Sequence, residues 1–274
     1  MEITINNINY KALKNISMCF FDACITGVIG KNGSGKTLIS EIISTIRKPD
    51  TGNIIIDSQV IDLSSPFIDY IKIRSDIGIV MQNVESQLFQ ETVKDHINFQ
   101  LSTYNYKNTE KRIIDSLSMV GLDESFINKK IKTLSNGERF LVALAGVLSY
   151  NPKVIILDDP TNFLDYKKKV LILKLLKRIK GKYKKTIIIF GNDIDFIYEL
   201  SDYVYVLNSG KIVLHGDKSK VFTNKSLEKY NIELPDIVKL TQEFKSKSKC
   251  NIPIRDNISE LIKDIYFYIE KKRG

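Results

Sequence analysis

At 274 residues the chain can build one large domain with appendages, and with 43% hydrophobic and 27% charged residues it reads as soluble and globular. No apolar stretch approaches the roughly 18 residues of a membrane span, and the start "MEITINNINY" lacks the basic and apolar regions of a signal peptide. Cys19, Cys24 and Cys250 fit no metal spacing and make a poor disulfide framework, so a reducing cytoplasm is the expected compartment. The net charge of +9 fits either an anionic partner or lysines that solvate exposed faces; runs such as "YKKKV" and "GKYKK" carry no interleaved aromatic platform, which favours the second.

In chain order, "EITINNINY" and "KNISMCFFDACITGVIG" alternate like strands and stop at a Gly-rich loop. "TLISEIISTI" has helical spacing, and "RKPDTG" is expected to end it. "NIIIDS" and "IGIV" are short strand-like runs, residues from about 83 to 150 are mostly helical in pattern, and "KVIIL", "KTIIIF" and "YVYVLNSG" return as buried or half-buried strands. Strands alternating with helices predict an α/β protein with a parallel sheet and a helical insertion. The expected division is a nucleotide-binding core over 1–82 and 151–218, a helical subdomain over 83–150, and a C-terminal helical extension over 219–274. In that extension Ile258, Leu261, Ile262, Ile265 and Ile269 form one helical stripe, expected to pack onto the parent domain.

"GKNGSGKT" (Gly30, Lys31, Asn32, Gly33, Ser34, Gly35, Lys36, Thr37) fits the phosphate-loop pattern G-x-x-x-x-G-K-S/T, with a strand running in and a helix running out. Its glycines let backbone N–H groups curve round phosphate oxygens, and the following helix aims its positive end at them. Lys36 is expected to reach the β- and γ-phosphates and Thr37 to offer its hydroxyl to Mg²⁺. Downstream, "VIILD" ends a buried strand on Asp158, which can hold Mg²⁺ through water. The ligand these parts imply is a nucleotide with its Mg²⁺.

Between the two lies "TLSNGERFLVALAGVLSYNPKVIILDDPTNFLD", which resembles the ATP-binding-cassette (ABC) ATPases and their L-S-G-G-Q signature. The resemblance runs in order over about residues 1–222. It implies an ABC-type phosphate-loop core, ATP as nucleotide, Gln82 in "IGIVMQN" as the Q-loop glutamine that also approaches the metal, and Asp165 in "TNFLD" as the D-loop aspartate that couples two cassettes. It further implies a head-to-tail ATPase dimer, in which Ser135, Asn136, Gly137 and Glu138 act on the partner's ATP. Taken alone, "LSNGE" also reads as a helix start with Ser135 and Glu138 as a capping box. "QNVESQLFQETVKDHINF", "AGVLSYNP" and "ELPDIVKLTQEFK" are similar to the ATPases of energy-coupling factor (ECF) transporters, relatives of cobalt-type importers that take up vitamins or metal ions. That likeness implies a second ATPase subunit, a membrane coupling protein and a substrate-binding membrane subunit as partners. It places the chain peripherally on the cytoplasmic face of the membrane, with no nucleic-acid role. Phe89 and Phe99, in the segment after Gln82, read as core aromatics.

Several positions depart from the family pattern. Asp159 stands where the family keeps the Glu that polarises the attacking water, and Asn192, in "IIIFGNDID", stands at the switch histidine. An Asp is one methylene shorter, and an amide carries no imidazolium charge. Both lie in the same nucleotide pocket, so the chain's own site is expected to be slow, in an asymmetric heterodimer, favoured over a homodimer, whose other pocket this chain's signature completes. A shifted water that restores hydrolysis is the alternative for the site, and a non-hydrolysing ATP-binding subunit that caps an active partner ATPase is the alternative function. Asn136 replaces a signature glycine, a mild change because Asn tolerates left-handed backbone. Tyr10 is the nearby candidate for stacking adenine, against a plain sheet-edge tyrosine.

Overall fold

The computed structural model describes residues 1–63, 65, 68–248 and 252–273. Cys250 lies outside the described residues, and Cys19 and Cys24 are free thiols. The chain opens on β1 (Ile3–Tyr10) and β2 (Leu13–Phe20), an antiparallel hairpin, and β3 (Ile25–Ile29) leads through the phosphate loop into α1 (Lys36–Ile43). β4 (Thr51–Ile56) then returns to pair with β1, and β5 (Gln59–Ile61) adds to β4. These strands form a separate antiparallel sheet in the order β2-β1-β4-β5, which the expectation of a parallel sheet did not include. Ile3 and Ile5 are buried while Thr4 and Asn6 are half-buried, the alternation of a sheet with one wet face; an irregularity at Asn7, φ 51°, then shifts the phase so that Ile8 is buried.

The second half of the fold comprises α2 (Tyr70–Asp76), β6 (Ile77–Val80), α3 (Val93–Thr103), α4 (Thr109–Met119), α5 (Asn136–Ser149), β7 (Val154–Asp158), α6 (Tyr166–Tyr183) and β8 (Thr186–Gly191). It continues with α7 (Ile194–Leu200), β9 (Tyr203–Asn208), β10 (Lys211–Asp217), α8 (Lys218–Phe222), α9 (Asp236–Ser248) and α10 (Ile258–Arg273). A six-stranded sheet runs β10-β9-β3-β8-β7-β6, parallel except for β10. β6 and β7 pair side by side although α3, α4 and α5 separate them in the chain. The apolar runs of this sheet are buried on both faces. Val154, Ile156, Ile188 and Phe190 pack with α1 and the antiparallel sheet, while Ile155, Leu157, Ile187 and Ile189 pack with α5, α6 and α7.

Three local expectations change. α1 stops at Ile43, before "RKPDTG", because Thr45 takes a left-handed φ of 59° while Thr45 N–H bonds Ile42 O at 3.0 Å and Ile46 N–H bonds Glu41 O at 2.8 Å. That is a Schellman end with Thr at the position glycine usually holds, so the sequence carried no signal for it. Phe89 and Phe99 are not core aromatics: they are 65% and 44% exposed and meet edge-on at 5.1 Å between ring centroids. The C-terminal stripe splits, with Leu261 buried and Ile265 half-buried against the core while Ile258, Ile262 and Ile269 face outward.

The β9–β10 turn, Ser209–Gly210, fixes the phosphate loop against the sheet. Both residues have positive φ, 47° and 73°, as a two-residue hairpin with right-handed strand twist demands. Gly210 N–H donates to Ser34 O at 3.0 Å, and its carbonyl accepts from Lys14 N–H at 2.9 Å, so one residue joins the hairpin of the antiparallel sheet to the loop. A Cβ here would stand 1.8 Å from Ala12 O. Gly210→Ala is expected to lower stability by about 2 kcal/mol or more, and Tm by roughly 5 °C, through this backbone clash. Thermal unfolding checks it, and an unchanged Tm would show that the turn does not hold the two sheets together.

Candidate nucleotide site

The site lies where four parallel strands end together. In the sheet order β3-β8-β7-β6, the residues at or just past the carboxyl ends are the phosphate loop, Asn192, Asp158 with Asp159, and Gln82. Crevices at the carboxyl edge of such sheets are where α/β proteins bind ligands. The loop turns tightly, with Ser34 N–H bonding Lys31 O at 3.1 Å, and Gly35 reaches φ 108° to start α1. A Cβ on Gly35 would meet Leu13 Cδ2 at 2.5 Å, so the loop can approach the β1–β2 hairpin only without a side chain there.

Lys36 is 5% exposed, and its ammonium donates to Gly30 O at 2.7 Å, Lys31 O at 3.3 Å and Asn192 Oδ1 at 2.8 Å. Burial pulls its pKa down, and Asp159 and Asp158 partly restore it. Asp158 is 3% exposed; its Oδ2 accepts from Ser40 Oγ at 3.0 Å, and its Oδ1 has no partner. Burial pushes its pKa up to about 6, against the opposing pull of the Ser40 and Thr37 hydroxyls beside it. Ser40 escaped the sequence reading, although its position three residues after Thr37, one helical turn on, was the available signal.

Asp159 is buried and its backbone is left-handed, φ 49°, a conformation Asp adopts more readily than most residues. Its Oδ2 accepts from Gln82 Nε2 at 3.1 Å, and burial raises its pKa while Lys36 and a hydrogen bond from the Asn192 backbone lower it. Gln82 Oε1 lies 3.4 Å from Thr37 Oγ1, so this one side chain spans both carboxylates' surroundings and the start of α1. The donor set fits Mg²⁺: a threonine hydroxyl, an amide oxygen and an unpartnered buried carboxylate oxygen are hard ligands of the kind the ion takes. Thr37, Gln82 and Asp158 are the residues that would hold it. The phosphate loop fits polyphosphate through its curved backbone and Lys36.

The structure does not gather every expected residue at this site. Ser135 caps α5 in a full capping box, with Ser135 N–H bonding Glu138 Oε2 at 2.8 Å and Glu138 N–H bonding Ser135 Oγ at 3.3 Å. No hydrogen bond among the described residues joins 135–138 to the phosphate loop. Asn136 is helical, so its tolerance of left-handed backbone is not called on. Gly137 is required by packing instead, since a Cβ would come within 2.9 Å of Phe163 O. Asp165 caps α6, accepting from Lys168 N–H at 2.9 Å. Tyr10 ends β1, which lies inside its sheet between β2 and β4, so the edge-strand alternative is not met; the Lys11 ammonium sits 5.4 Å from its ring centroid.

Comparison with known proteins agrees with this geometry. The family model described as ABC transporter matches residues 13–162. The ECF transporter ATP-binding protein EcfA2 of Caldanaerobacter subterraneus subsp. tengcongensis is 34% identical over 90% of this chain and 86% of its own, and that of Clostridium perfringens is 34% identical over 90% and 91%. Among solved structures, CbiO1 of Clostridium perfringens, part of the ABC transporter complex CbiONQ, has 34% identity and a TM-score of 0.72, covering 88% of this chain and 98% of that one. The ATP-binding cassette MJ0796, solved as a dimer in a post-hydrolysis state with ADP and Pi, has 28% identity and a TM-score of 0.72 over 79% of this chain and 98% of that one. A buried phosphate-loop lysine and an acidic strand end at one sheet edge, with these relatives spanning nearly the whole chain, show that it belongs to the ABC transporter ATPases, alongside the ATP-binding subunits of ECF transporters.

Proposed function

We propose that this chain is an ATPase subunit of an ECF-type importer, seated peripherally on the cytoplasmic face of the membrane and paired head to tail with a second, different ATPase. The observation that carries the reading is the cluster of Lys36, Asp158, Asp159 and Gln82 at one sheet edge, taken with the likeness to ECF transporter ATP-binding proteins over most of the chain. Among the described residues no helix is long and apolar enough to cross a membrane, so membrane subunits would provide the path and select the vitamin or metal ion carried. The exposed Phe89–Phe99 pair, on the segment after Gln82, suits contact with the coupling subunit's cytoplasmic helices.

In this reading Lys36 pairs with the β- and γ-phosphate oxygens, and Thr37, Gln82 and Asp158 hold Mg²⁺, whose charge offsets that of the phosphates. Asp159 is the base for the attacking water, held in place by Gln82. Ser135 and the Gly137 N–H act on the ATP of the partner cassette, and Asp165 lies at the junction between the two. Asp159 has the shorter reach and its carboxylate is already engaged by the Gln82 amide, so this pocket turns ATP over slowly and the partner's pocket does more of the work.

The decisive experiment compares ATP turnover of the complex purified through this chain with that of Asp159→Asn and Asp159→Glu. A slow pocket predicts less than about a twofold loss for Asn and a gain for Glu. A collapse of about 10²-fold or more in the Asn variant would establish Asp159 as a full general base and sink the asymmetry. Glu91, 70% exposed and paired with Lys130 at 2.9 Å, offers a test of coupling. Glu91→Lys is expected to depress uptake severalfold in vesicles while ATP binding is unchanged; normal uptake would remove this segment from the contact.

Asp158 gives a pH test. Its folded pKa of about 6 exceeds the ordinary 3.8, so between these values the folded chain binds more protons than the unfolded one and stability falls as pH rises. The burden of the ionised, unpartnered carboxylate is fully present above about pH 6 and amounts to about 3 kcal/mol. Relative to wild type, nucleotide-free Asp158→Asn should therefore gain stability between pH 4 and pH 7, read by urea unfolding. A difference that stays constant with pH would show that Asp158 is not desolvated as described.

A further inference from the structure

A cavity of about 260 Å³ lies at the amino edge of the six-stranded sheet, the edge opposite the nucleotide site. It sits where α4, α5 and α6 end, at the start of β7 and just before β8. Small-molecule pockets begin at about 300 Å³, so its occupant is a small one. Two serines make the room. Ser116 and Ser149 are buried, and each hydroxyl turns back to its own helix, donating to Ile113 O at 2.9 Å and to Gly146 O at 2.7 Å. Leu148, Pro152, Ile155 and Ile179 give the cavity an apolar floor.

Two cations line the same cavity. Arg112 Nη1 donates to Ser149 O at 3.0 Å, with the guanidinium 4.4 Å from the Tyr106 ring centroid, and Lys185 Nζ donates to Asn151 O at 3.1 Å. Each thus covers a carbonyl at or just past the end of α5, and each bond uses one donor of a guanidinium's five or an ammonium's three. Neither cation has an ion pair among the described residues. Burial lowers the Lys185 pKa, and Asp76, which raises it, is already paired with Lys153 at 3.1 Å. Asp115, exposed on α4, is the one carboxylate among the described lining residues, against two cations. Covering two helix-end carbonyls calls for no cavity. An apolar floor beside two cations without carboxylate partners suits an anion with an apolar body.

We propose that this cavity binds a small amphipathic carboxylate, with its apolar body against Ile155 and Ile179 and its carboxylate at Arg112 and Lys185. The five residues of β7 span roughly 17 Å from this cavity to Asp158, so the site does not overlap the nucleotide site. It is independent of the proposed transport role.

The test is a ligand-observed NMR titration of the purified full chain with octanoate, and with octanol as the uncharged probe. Wild type should bind octanoate saturably, with a Kd on the order of 0.1–1 mM for so small a ligand. Lys185→Gln and Arg112→Gln should each weaken octanoate about five- to tenfold and leave octanol where it was, because each removes a charge-assisted contact and keeps the apolar floor. Met119→Trp, on an exposed lining residue, should weaken both probes by filling the mouth. Mg²⁺ with the non-hydrolysable AMP-PNP should not displace octanoate. Octanoate that fails to saturate, that binds both charge variants as tightly as wild type, or that the nucleotide displaces overturns the site.

Discussion

The buried charge of Lys36 is the constraint on which the site depends. An ammonium taken out of water must find acceptors for each of its protons, and here they come from the loop that carries it and from the neighbouring strand end. That requirement sets the loop's curvature, because Gly30 O and Lys31 O must turn inward, and sets the strand order, because Asn192 must arrive from β8 beside β3. The two aspartates at the end of β7 supply the negative field that keeps the lysine charged. The same burial works against the carboxylates, which explains why Asp158 is held at a raised pKa with one oxygen unsatisfied. The protein's own groups leave this set of charges incompletely balanced, with Asp158 Oδ1 unpartnered. A polyphosphate with a divalent cation is the kind of ligand that balances both sides at once.

Asp159 shows how local backbone and chemistry conflict. Its φ of 49° is costly for most side chains and tolerable for Asp. A Glu at this position would have the longer reach that a general base needs, but less local compensation for a left-handed backbone. Strained residues of this sort persist at functional sites because the surrounding structure overdetermines them, and here Phe190 O accepts from the Asp159 N–H at 2.7 Å. Such fixing leaves little freedom for a short carboxylate to move toward a water. The proposed slowness of the pocket follows from that rigidity as much as from the missing methylene.

The parts of this molecule that were legible in its sequence are those fixed by local rules. The phosphate loop is a contiguous motif whose backbone chemistry dictates its glycines, and the runs "KVIIL" and "KTIIIF" read as buried or half-buried strands, which the structure buries on both faces. Ser135 and Glu138 announced their capping box by spacing alone. What escaped was set by contacts between distant residues. Nothing within "NIIIDS" says that it crosses to β1 instead of joining the parallel sheet. Thr45 ends α1 in a conformation usually left to glycine, and Gly137 is small because the Phe163 carbonyl passes close by. Phe89 and Phe99 looked like core residues because hydrophobicity by itself cannot tell a buried side chain from an exposed one.

The two functional ends of the chain obey different constraints, and this separation makes the proposed asymmetry physically sound. Asp159, Asn192 and Lys36 form one electrostatic unit at the sheet edge, so a substitution at any of them changes the others' partners. The signature belongs to another unit, built on the capping box of α5 and anchored to the segment after Gln82 by the ion pair of Arg139 with Glu85. Ser135 Oγ accepts from the Glu138 N–H, and the Glu138 carboxylate accepts from the Ser135 N–H, so the start of α5 is held by its own residues. The proposed loss of speed in the chain's own pocket leaves the start of α5 undisturbed, since no hydrogen bond among the described residues links the two units directly.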